Sequence, residues 1–145
     1  MSSKIVVGLD GSDAGDRALA YASDLAKLIG NCELVLAFVI EWSPYTFQTA
    51  EENEQRHKRR EEEISQANSR IVSPAVEKAN GNGVSARGVV KHGDVADSLE
   101  KLAKEEGANQ IVVARASDTG FKNRIFGSST ANLVMHASVP VTVVS

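Results

Sequence analysis

Five short apolar runs alternate along the chain with longer segments in which apolar residues recur every three or four positions. Short continuous apolar runs are typical of strands that are buried on both faces of a parallel sheet. The longer segments have the period of amphipathic helices. The predicted strands are Ile5–Leu9, Leu34–Ile40, Val84–Val90, Ile111–Ala114 and Val139–Val144. The pattern therefore predicts strands and helices in strict alternation.

Glycine, proline and small polar residues bound the predicted helices. The helices lie between Ser12 and Gly30, over Glu51–Asn80, between Asp94 and Gly107, and from Gly127 to Ala137. Ser12 or Asp13 can cap the first of them, because their side-chain oxygens accept from unpaired backbone N–H groups. Pro74 predicts a kink in the long second helix, or the start of a second segment.

This alternation predicts a single α/β domain over residues 1–145. Strands that alternate with helices form a parallel sheet with helices on both faces, and right-handed crossovers make the sandwich doubly wound. The expected strand order is 3-2-1-4-5. Ligands bind such sheets where the winding reverses, which here is at the carboxyl ends of strands one and four. Those ends are Leu9–Ser12 and Ala114–Ser117.

The segment around Gly127, Ser128, Ser129 and Thr130 has the composition of an anion site. If the last helix begins there, its unpaired N–H groups and the positive end of its dipole favour a phosphate. Glycine allows close approach, and the three hydroxyls can donate hydrogen bonds. An ordinary helix cap is the alternative. Two nearby cations, Lys122 and Arg124, add charge to the preceding loop or belong to a solvated loop.

Composition limits the remaining choices. The net charge of -3 and the pI of about 5.6 argue against nucleic acid and anionic membranes as partners. Cys32 is the only cysteine, which excludes an internal disulfide and fits a reducing compartment. The start of the chain has no signal-peptide pattern, and no apolar run is long enough to span a bilayer. These features predict a cytoplasmic protein.

The residues do not suggest an enzyme. His57, His92 and His136 have no metal-ligand spacing with one another or with Cys32. Ser128 and Ser129 have no evident His–Asp partners, and the common glycine-rich nucleotide motifs are absent. We therefore predict no catalytic residues.

Several stretches together resemble the universal stress protein family over nearly the full length. They are Ile5–Ser12, Leu36–Val39, His92–Asp94, Ile111–Val113, Gly127–Ser129 and Val139–Val141. The resemblance implies a fold similar to the predicted sheet, and a dimer. It also implies membership in one of two groups, adenine-nucleotide binders and non-binders.

Binders in that family carry G-x-x-G, nine further residues and then G-[ST]. With Gly127 and Ser128 aligned to the end of this motif, its first two glycines fall at Ala114 and Ser117. If either position needs a positive φ, the replacement costs roughly 1–2 kcal/mol, or about tenfold in affinity. If only space is needed, these two side chains are small enough. The resemblance implies ATP or AMP as ligand, with Mg²⁺ as a possible companion.

The same resemblance places Asp10 near the ribose and the backbone around Val39 near the adenine. The alternatives are a cap for the next helix at Asp10 and an ordinary core position at Val39. Asp10 is also the one candidate metal ligand. The candidate nucleotide-binding residues lie at strand ends and near the last helix: Gly8, Leu9, Asp10, Val39, Ala114, Ala116, Ser117, Gly127, Ser128, Ser129 and Thr130.

Three functions remain open. The first is a dimeric stress-response regulator that binds ATP or AMP. The second is a dimer that has lost this site and acts through protein interactions, and the third is a slow ATP hydrolase. The apolar terminal run Val139–Val144 is expected at a sheet edge, because Pro140 cannot donate to a ladder, and it predicts antiparallel pairing of two copies. Three interpretations of the aromatic segment Trp42–Phe47 remain open: a lid over the predicted site, a patch that binds a partner, or local packing.

Overall fold

The computed structural model describes residues 2–41, 50–115 and 122–145, and it excludes the side chains of 50–53 and 122–128. The strands are β1 Ser3–Leu9, β2 Cys32–Ile40, β3 Ser85–His92, β4 Gln110–Ala114 and β5 Val141–Val144. The helices are α1 Asp13–Ile29, α2 Ala50–Ala67, α3 Ser73–Gly81, α4 Val95–Glu106 and α5 Lys122–His136, with a π-helical turn at Asn68–Val72. The predicted alternation is confirmed.

All five strands are parallel, in the order β3-β2-β1-β4-β5. The predicted order is therefore confirmed. Leu9 pairs with Phe38, so that Asp10 follows at the level of Val39 on the neighbouring strand. The carboxyl ends of β1, β2 and β4 consequently lie side by side.

Helices cover both faces of the sheet, as predicted. Ile5 and Val7 are fully buried against the side of α1 and α3, whereas Val6 is fully buried against the side of α4 and α5. This division follows from the two-residue period of a strand. By the same alternation, Gly8 belongs to the side of α4 and α5.

Local capping sets the start of α1. The Ser12 hydroxyl accepts a hydrogen bond from the Ala14 N–H at 3.2 Å, and Gly30 ends the helix with a φ of 82°. Ser12, and not Asp13, is thus the cap. Because only three residues separate β1 from α1, this cap fixes the start of the helix near the carboxyl end of β1.

Pro74 changes the course of the long predicted helix. The Ser73 N–H bonds to the carbonyl oxygen of Asn68, five residues earlier, and Pro74 lies in the first turn of α3. Proline lacks an N–H, so the regular ladder cannot continue through it. The predicted kink or second segment is confirmed as a π-helical turn followed by a separate helix.

The start of the last helix was predicted wrongly. It begins at Lys122 and not at Gly127, so Gly127 lies more than one turn inside α5. Glycine in a helix interior is only about 1 kcal/mol less favourable than alanine, and it need not stop a helix. The unpaired N–H groups of a helix belong to its first four residues, which in α5 are 122–125.

No helix of the described ranges combines the length and the hydropathy needed to cross a membrane.

Candidate functional site

The Asp10 carboxylate is bound to the start of α1. Its Oδ1 accepts from the N–H groups of Ser12 at 2.9 Å and of Gly15 at 3.0 Å. Its Oδ2 accepts from the Ser12 hydroxyl at 2.8 Å. A Cβ on Gly15 would lie 3.1 Å from Oδ1, so the absence of a side chain permits this contact. The capping role considered for Asp10 is therefore confirmed.

The capping hydrogen bonds leave this carboxylate with a free acceptor site. A carboxylate has about four lone-pair sites, and three of them are engaged here. Asp10 is also exposed to solvent. It can therefore accept a further hydrogen bond from a ligand without leaving α1.

A cavity of about 460 Å³ opens beside Asp10, between the ends of the strands and the helices α4 and α5. Its volume lies in the range of small-molecule sites, roughly 300–1,000 Å³. Its walls are mostly apolar. They are formed by Gly8, Leu9, Asp10, Ala37, Phe38, Val39, Ile40, Glu41, Val95, Leu99, Val113, Ser129 and Thr130. This is the place where the strand order reverses, as expected for a doubly wound sheet.

Gly8 packs closely against two other residues of the cavity lining. A Cβ at this position would lie 3.0 Å from Val113 Cγ1 and 3.2 Å from Leu99 Cδ1. Both distances are tighter than ordinary van der Waals contact. A side chain at Gly8 would therefore displace Val113 and Leu99, which line the cavity together with it.

The cavity brings together six of the residues predicted from the sequence. These are Gly8, Leu9, Asp10, Val39, Ser129 and Thr130. They come from β1, β2 and α5, which are distant along the chain. Their proximity is therefore a consequence of the fold.

The other predicted residues have different positions. Ala114 is buried in β4 among the residues that pack on the α1 side, away from the cavity lining. Gly127 and Ser128 precede Ser129 within α5. Ala116, Ser117 and the aromatic segment Trp42–Phe47 lie outside the described residues.

Sequence reasoning missed the walls that α4 and β4 contribute. Val95, Leu99 and Val113 line the cavity, and only the period of their helix or strand indicated that their side chains face the core. Glu41, the first polar residue after β2, was also missed. Its position directly after an apolar run was a usable signal.

Within the described residues of the lining, Asp10 and Glu41 are the charged side chains. Both are exposed at the carboxyl end of the sheet. The lining also offers the Ser129 and Thr130 hydroxyls, which can donate as well as accept. This arrangement suits a ligand with an apolar ring and several hydroxyl groups.

The described residues contain no group of three or more His, Cys, Asp or Glu side chains that could hold a metal ion. A metal at Asp10 would therefore depend on ligands from a bound molecule, as Mg²⁺ commonly does with phosphates. His92 is paired instead with Glu63, at 3.2 Å between Nε2 and Oε2. Burial raises the pKa of the Cys32 thiol, which disfavours the reactive thiolate.

Comparison with known proteins places the chain in a family. A model described as the universal stress protein family matches residues 1–145. The universal stress protein YxiE of Bacillus subtilis (strain 168) is 29% identical over 157 residues, which cover 99% of both chains.

Solved structures show the same fold. Universal stress protein UspA from Lactobacillus plantarum has a TM-score of 0.80 at 22% identity, with 99% of this chain and 97% of that chain covered. A universal stress protein in complex with cAMP has a TM-score of 0.69 at 24% identity, over 99% and 96% of the two chains. The universal stress protein from Archaeoglobus fulgidus in complex with dAMP has a TM-score of 0.62 at 18% identity, over 100% and 98%.

Proposed function

We propose that this chain, which belongs to the universal stress protein family, is a dimeric regulatory protein that binds an adenine nucleotide, ATP or AMP, in the cavity beside Asp10. The observation that carries the proposal is the convergence of Asp10, Val39 and Ser129 on one cavity of about 460 Å³. Complexes of two similarly folded proteins with cAMP and dAMP support the choice of an adenine nucleotide.

The proposed roles follow the chemistry of the lining. The apolar wall with Val39 and Val95 takes the purine, because burial of an aromatic ring there removes apolar surface from water. Asp10 accepts a hydrogen bond from a ribose hydroxyl. Ser129 and Thr130 donate to phosphate oxygens. If Mg²⁺ takes part, Asp10 would be its ligand from this chain, and the ion would offset the negative charge of the phosphates.

Binding without turnover fits this lining better than catalysis. A hydrolase needs a general base within hydrogen-bond reach of a water. The Asp10 carboxylate already accepts three hydrogen bonds from Ser12 and Gly15, and its remaining acceptor site is assigned here to the ribose. The fraction of the protein that has nucleotide bound would then follow the energy state of the cell.

Thermal unfolding with and without nucleotide tests the proposal. Ligands that bind the native state raise the midpoint, because they stabilise it by RT ln(1 + [L]/Kd). We expect millimolar ATP or AMP, with and without Mg²⁺, to raise the midpoint, and GTP to raise it less. If no adenine nucleotide changes the midpoint, the proposal fails and the dimer without a nucleotide site becomes the better account.

A pair of variants in α5 locates the ligand. Ser129→Glu places a carboxylate in the cavity, and Ala131→Glu places the same charge two residues later on the exposed side of the helix. Repulsion by the new carboxylate should weaken ATP binding at least tenfold in Ser129→Glu and leave adenosine binding less affected. Ala131→Glu should bind like the wild type. Equal effects of the two variants would place the nucleotide elsewhere.

The proposed dimer forms through β5, which is an edge strand. The carbonyl oxygens of Pro140 and Val144 accept from β4, at 2.9 Å from the Ile111 nitrogen and 2.7 Å from the Arg115 nitrogen. Because backbone groups alternate along a strand, the N–H and C=O groups of Val141 and Val143 point to the free edge. Unpaired edge groups are a template for a second strand.

Two-fold antiparallel pairing then gives a definite arrangement. Val141 pairs with Val143 of the partner subunit, and Thr142 faces its own copy at a Cα separation of about 4.5 Å. Sedimentation equilibrium should show a dimer at micromolar concentration. A monomer under these conditions would contradict this part of the proposal.

A further inference from the structure

A second cavity, of about 280 Å³, lies between α1 and the segment that joins the π-helical turn to α3. Leu19 and Ile71, which line it, belong to the core on the side of α1 and α3. The walls of the cavity beside Asp10 include Leu99 and Val113, which belong to the core on the other side of the sheet. No part of the proposed function uses this α1–α3 cleft.

Two rows of residues at helical spacing form the walls of the cleft. Positions 12, 15, 16 and 19 line it along α1, and positions 71, 74, 75 and 78 line it along α3. Residues three and four apart lie on one face of a helix. Gly15 and Ala75 stand in the middle of the two rows and bring no more than a methyl group, which leaves space between the helices. Leu19 and Ile71 make the floor apolar.

Three charged side chains border this floor. Arg70 and Lys78 come from the side of α3, and Asp16 comes from α1. All three are exposed, and none forms an ion pair within residues 2–41, 54–115 and 129–145, whose side chains the structure describes. Two cations and one carboxylate give the lining a net charge of +1.

This combination favours one class of ligand. A guanidinium such as that of Arg70 matches the two oxygens of a carboxylate, and the ammonium of Lys78 adds a positive charge. The apolar floor favours a hydrocarbon body, because its burial removes apolar surface from water. One carboxylate balances the net charge of the lining, whereas a doubly charged phosphate exceeds it. The volume lies near the lower end of the range of small-molecule sites, roughly 300–1,000 Å³.

We propose that the α1–α3 cleft is a second ligand site, and that it binds a small organic acid with one carboxylate and an apolar body. The carboxylate binds Arg70, the apolar body lies on Leu19 and Ile71, and Asp16 disfavours a second negative charge. The π-helical turn that carries Arg70 and Ile71 supports this assignment, because such turns are frequent at functional sites. The site does not depend on the proposed nucleotide binding.

A titration of four small molecules, followed by the backbone amide resonances, tests the place and the ligand class together. The probes are phenylacetate, its neutral amide phenylacetamide, the cation phenethylamine, and acetate, which lacks the apolar body. We expect millimolar phenylacetate to shift the amides of Leu19, Ile71 and Ala75 and to leave those of Val39 and Thr130 in place. Phenylacetamide should bind about fivefold more weakly, which is the effect of one exposed ion pair. Phenethylamine and acetate should bind more weakly still.

Charge variants with a matched control test the role of the lining. Arg70→Gln should weaken phenylacetate binding about fivefold and leave phenylacetamide binding unchanged. Arg59→Gln, the same change at an exposed position of α2, should alter neither. Asp16→Asn removes the opposing charge and should strengthen phenylacetate binding about twofold.

A volume variant tests the cleft itself. Ala75→Leu fills the space between the helices and should abolish the binding of phenylacetate and phenylacetamide alike. Ala131→Leu adds the same volume at an exposed position of α5 and should bind both as the wild type does.

Each result decides a separate point. Phenylacetate that shifts only Val39 and Thr130, or no amide, overturns the second site. Equal affinities for phenylacetate, phenylacetamide and phenethylamine, or an unchanged phenylacetate affinity in Arg70→Gln, overturn the assigned ligand class. If Ala75→Leu does not fold, Arg70→Gln and Asp16→Asn still decide. A protein that binds phenylacetate as expected, but binds no adenine nucleotide, supports this site and contradicts only the proposed function.

Discussion

The two ends of the sheet use charged side chains in different ways. At the amino-terminal end they bind one another across four elements. Arg87 of β3 donates its Nε to Glu33 Oε1 at 3.2 Å and its Nη2 to Glu106 Oε1. Lys4 of β1 lies 3.5 Å from the same Glu106 oxygen.

At the carboxyl end, Asp10 and Arg17 bind mainly to the backbone instead. Asp10 accepts from the first amides of α1, and Arg17 donates to the carbonyl oxygens that follow β4 and β5. Glu41 lies exposed on the cavity beside them. This end thus fixes the chain around a cavity, while its carboxylates remain accessible.

The difference shows where the fold is stabilised and where it can bind. Burial lowers the pKa of Arg87, but hydrogen bonds and the negative charges of Glu33 and Glu106 outweigh it, so that the pKa is raised. The Arg87 guanidinium is therefore held by the carboxylates of Glu33 and Glu106. The comparison predicts that substitutions at the amino-terminal end change stability alone, and that substitutions at the carboxyl end change both stability and ligand binding.

The largest effect is expected at the cavity floor. Gly8→Val adds a branched side chain where a Cβ alone would lie 3.0 Å from Val113 Cγ1. We expect a loss of about 2 kcal/mol in the free energy of unfolding, together with loss of nucleotide binding. Chemical denaturation and calorimetric titration measure the two effects.

Gly81→Val is the matched control for this change. A Cβ at Gly81 would meet nothing within 4 Å. We expect its stability to stay within about 0.5 kcal/mol of the wild type and its nucleotide affinity to stay the same. Similar losses in the two variants would show that the loss in Gly8→Val does not come from crowding against Val113.

Asp10→Ala should have the next largest effect. It removes the acceptor of three hydrogen bonds at the start of α1, which should cost about 1.5 kcal/mol of stability and weaken nucleotide binding. Asp13→Ala is the matched control, because Asp13 is the first residue of α1 and contributes only a favourable charge to the helix start. It should lower the free energy of unfolding by about 0.5 kcal/mol or less. If Asp10→Ala binds nucleotide as the wild type does, the proposed difference between the two ends of the sheet is wrong.

Glu106→Gln tests the amino-terminal end. It removes the charge shared by Arg87 and Lys4, and we expect a loss of about 1 kcal/mol that shrinks in high salt. Nucleotide affinity should not change. Glu105→Gln breaks a more exposed pair with Lys91 at 3.6 Å and should cost less than about 0.5 kcal/mol. Weaker nucleotide binding in Glu106→Gln would refute the proposed separation of the two ends.

The smallest effect is a pH dependence at Glu100. Hydrogen bonding with Ser138, whose N–H lies 2.9 Å from Oε2, lowers the pKa of this carboxyl below its usual 4.5, and Lys104 adds to the shift. A lowered folded-state pKa contributes stability that is complete above the unfolded value and is lost as the pH falls through the folded one. Unfolding at several pH values should therefore show Glu100→Gln slightly less stable than the wild type at neutral pH. The two proteins should converge below about pH 4. A difference that grows with acidity would contradict this assignment.

The sequence was sufficient for the fold because each strand is a compact apolar run and each helix has clear punctuation. Ser12 and Pro74 acted locally, as their chemistry predicts. Gly127 did not, because its effect on helix formation is small compared with the tertiary packing of α5, in which Leu133 is buried in the core.

The candidate site could be predicted only in part, for a physical reason. Asp10 directly follows β1 and Val39 lies next to the last residue of β2, so topology alone brings them to one edge of the sheet. Val95 and Leu99 reach the cavity through the packing angle of α4, which no local pattern encodes. The Arg17 contact joins positions 128 residues apart and likewise depends on the assembled fold.

The most direct measurement of the central claim is a nucleotide titration followed by the backbone amide resonances of the protein. The account predicts that ATP or AMP shifts the amides of Asp10, Val39 and Thr130, which line the cavity at the carboxyl end, and leaves those of Lys4, Glu33 and Arg87 at the opposite end in place. Saturating nucleotide that moves none of the first three, or moves only the second three, would contradict it.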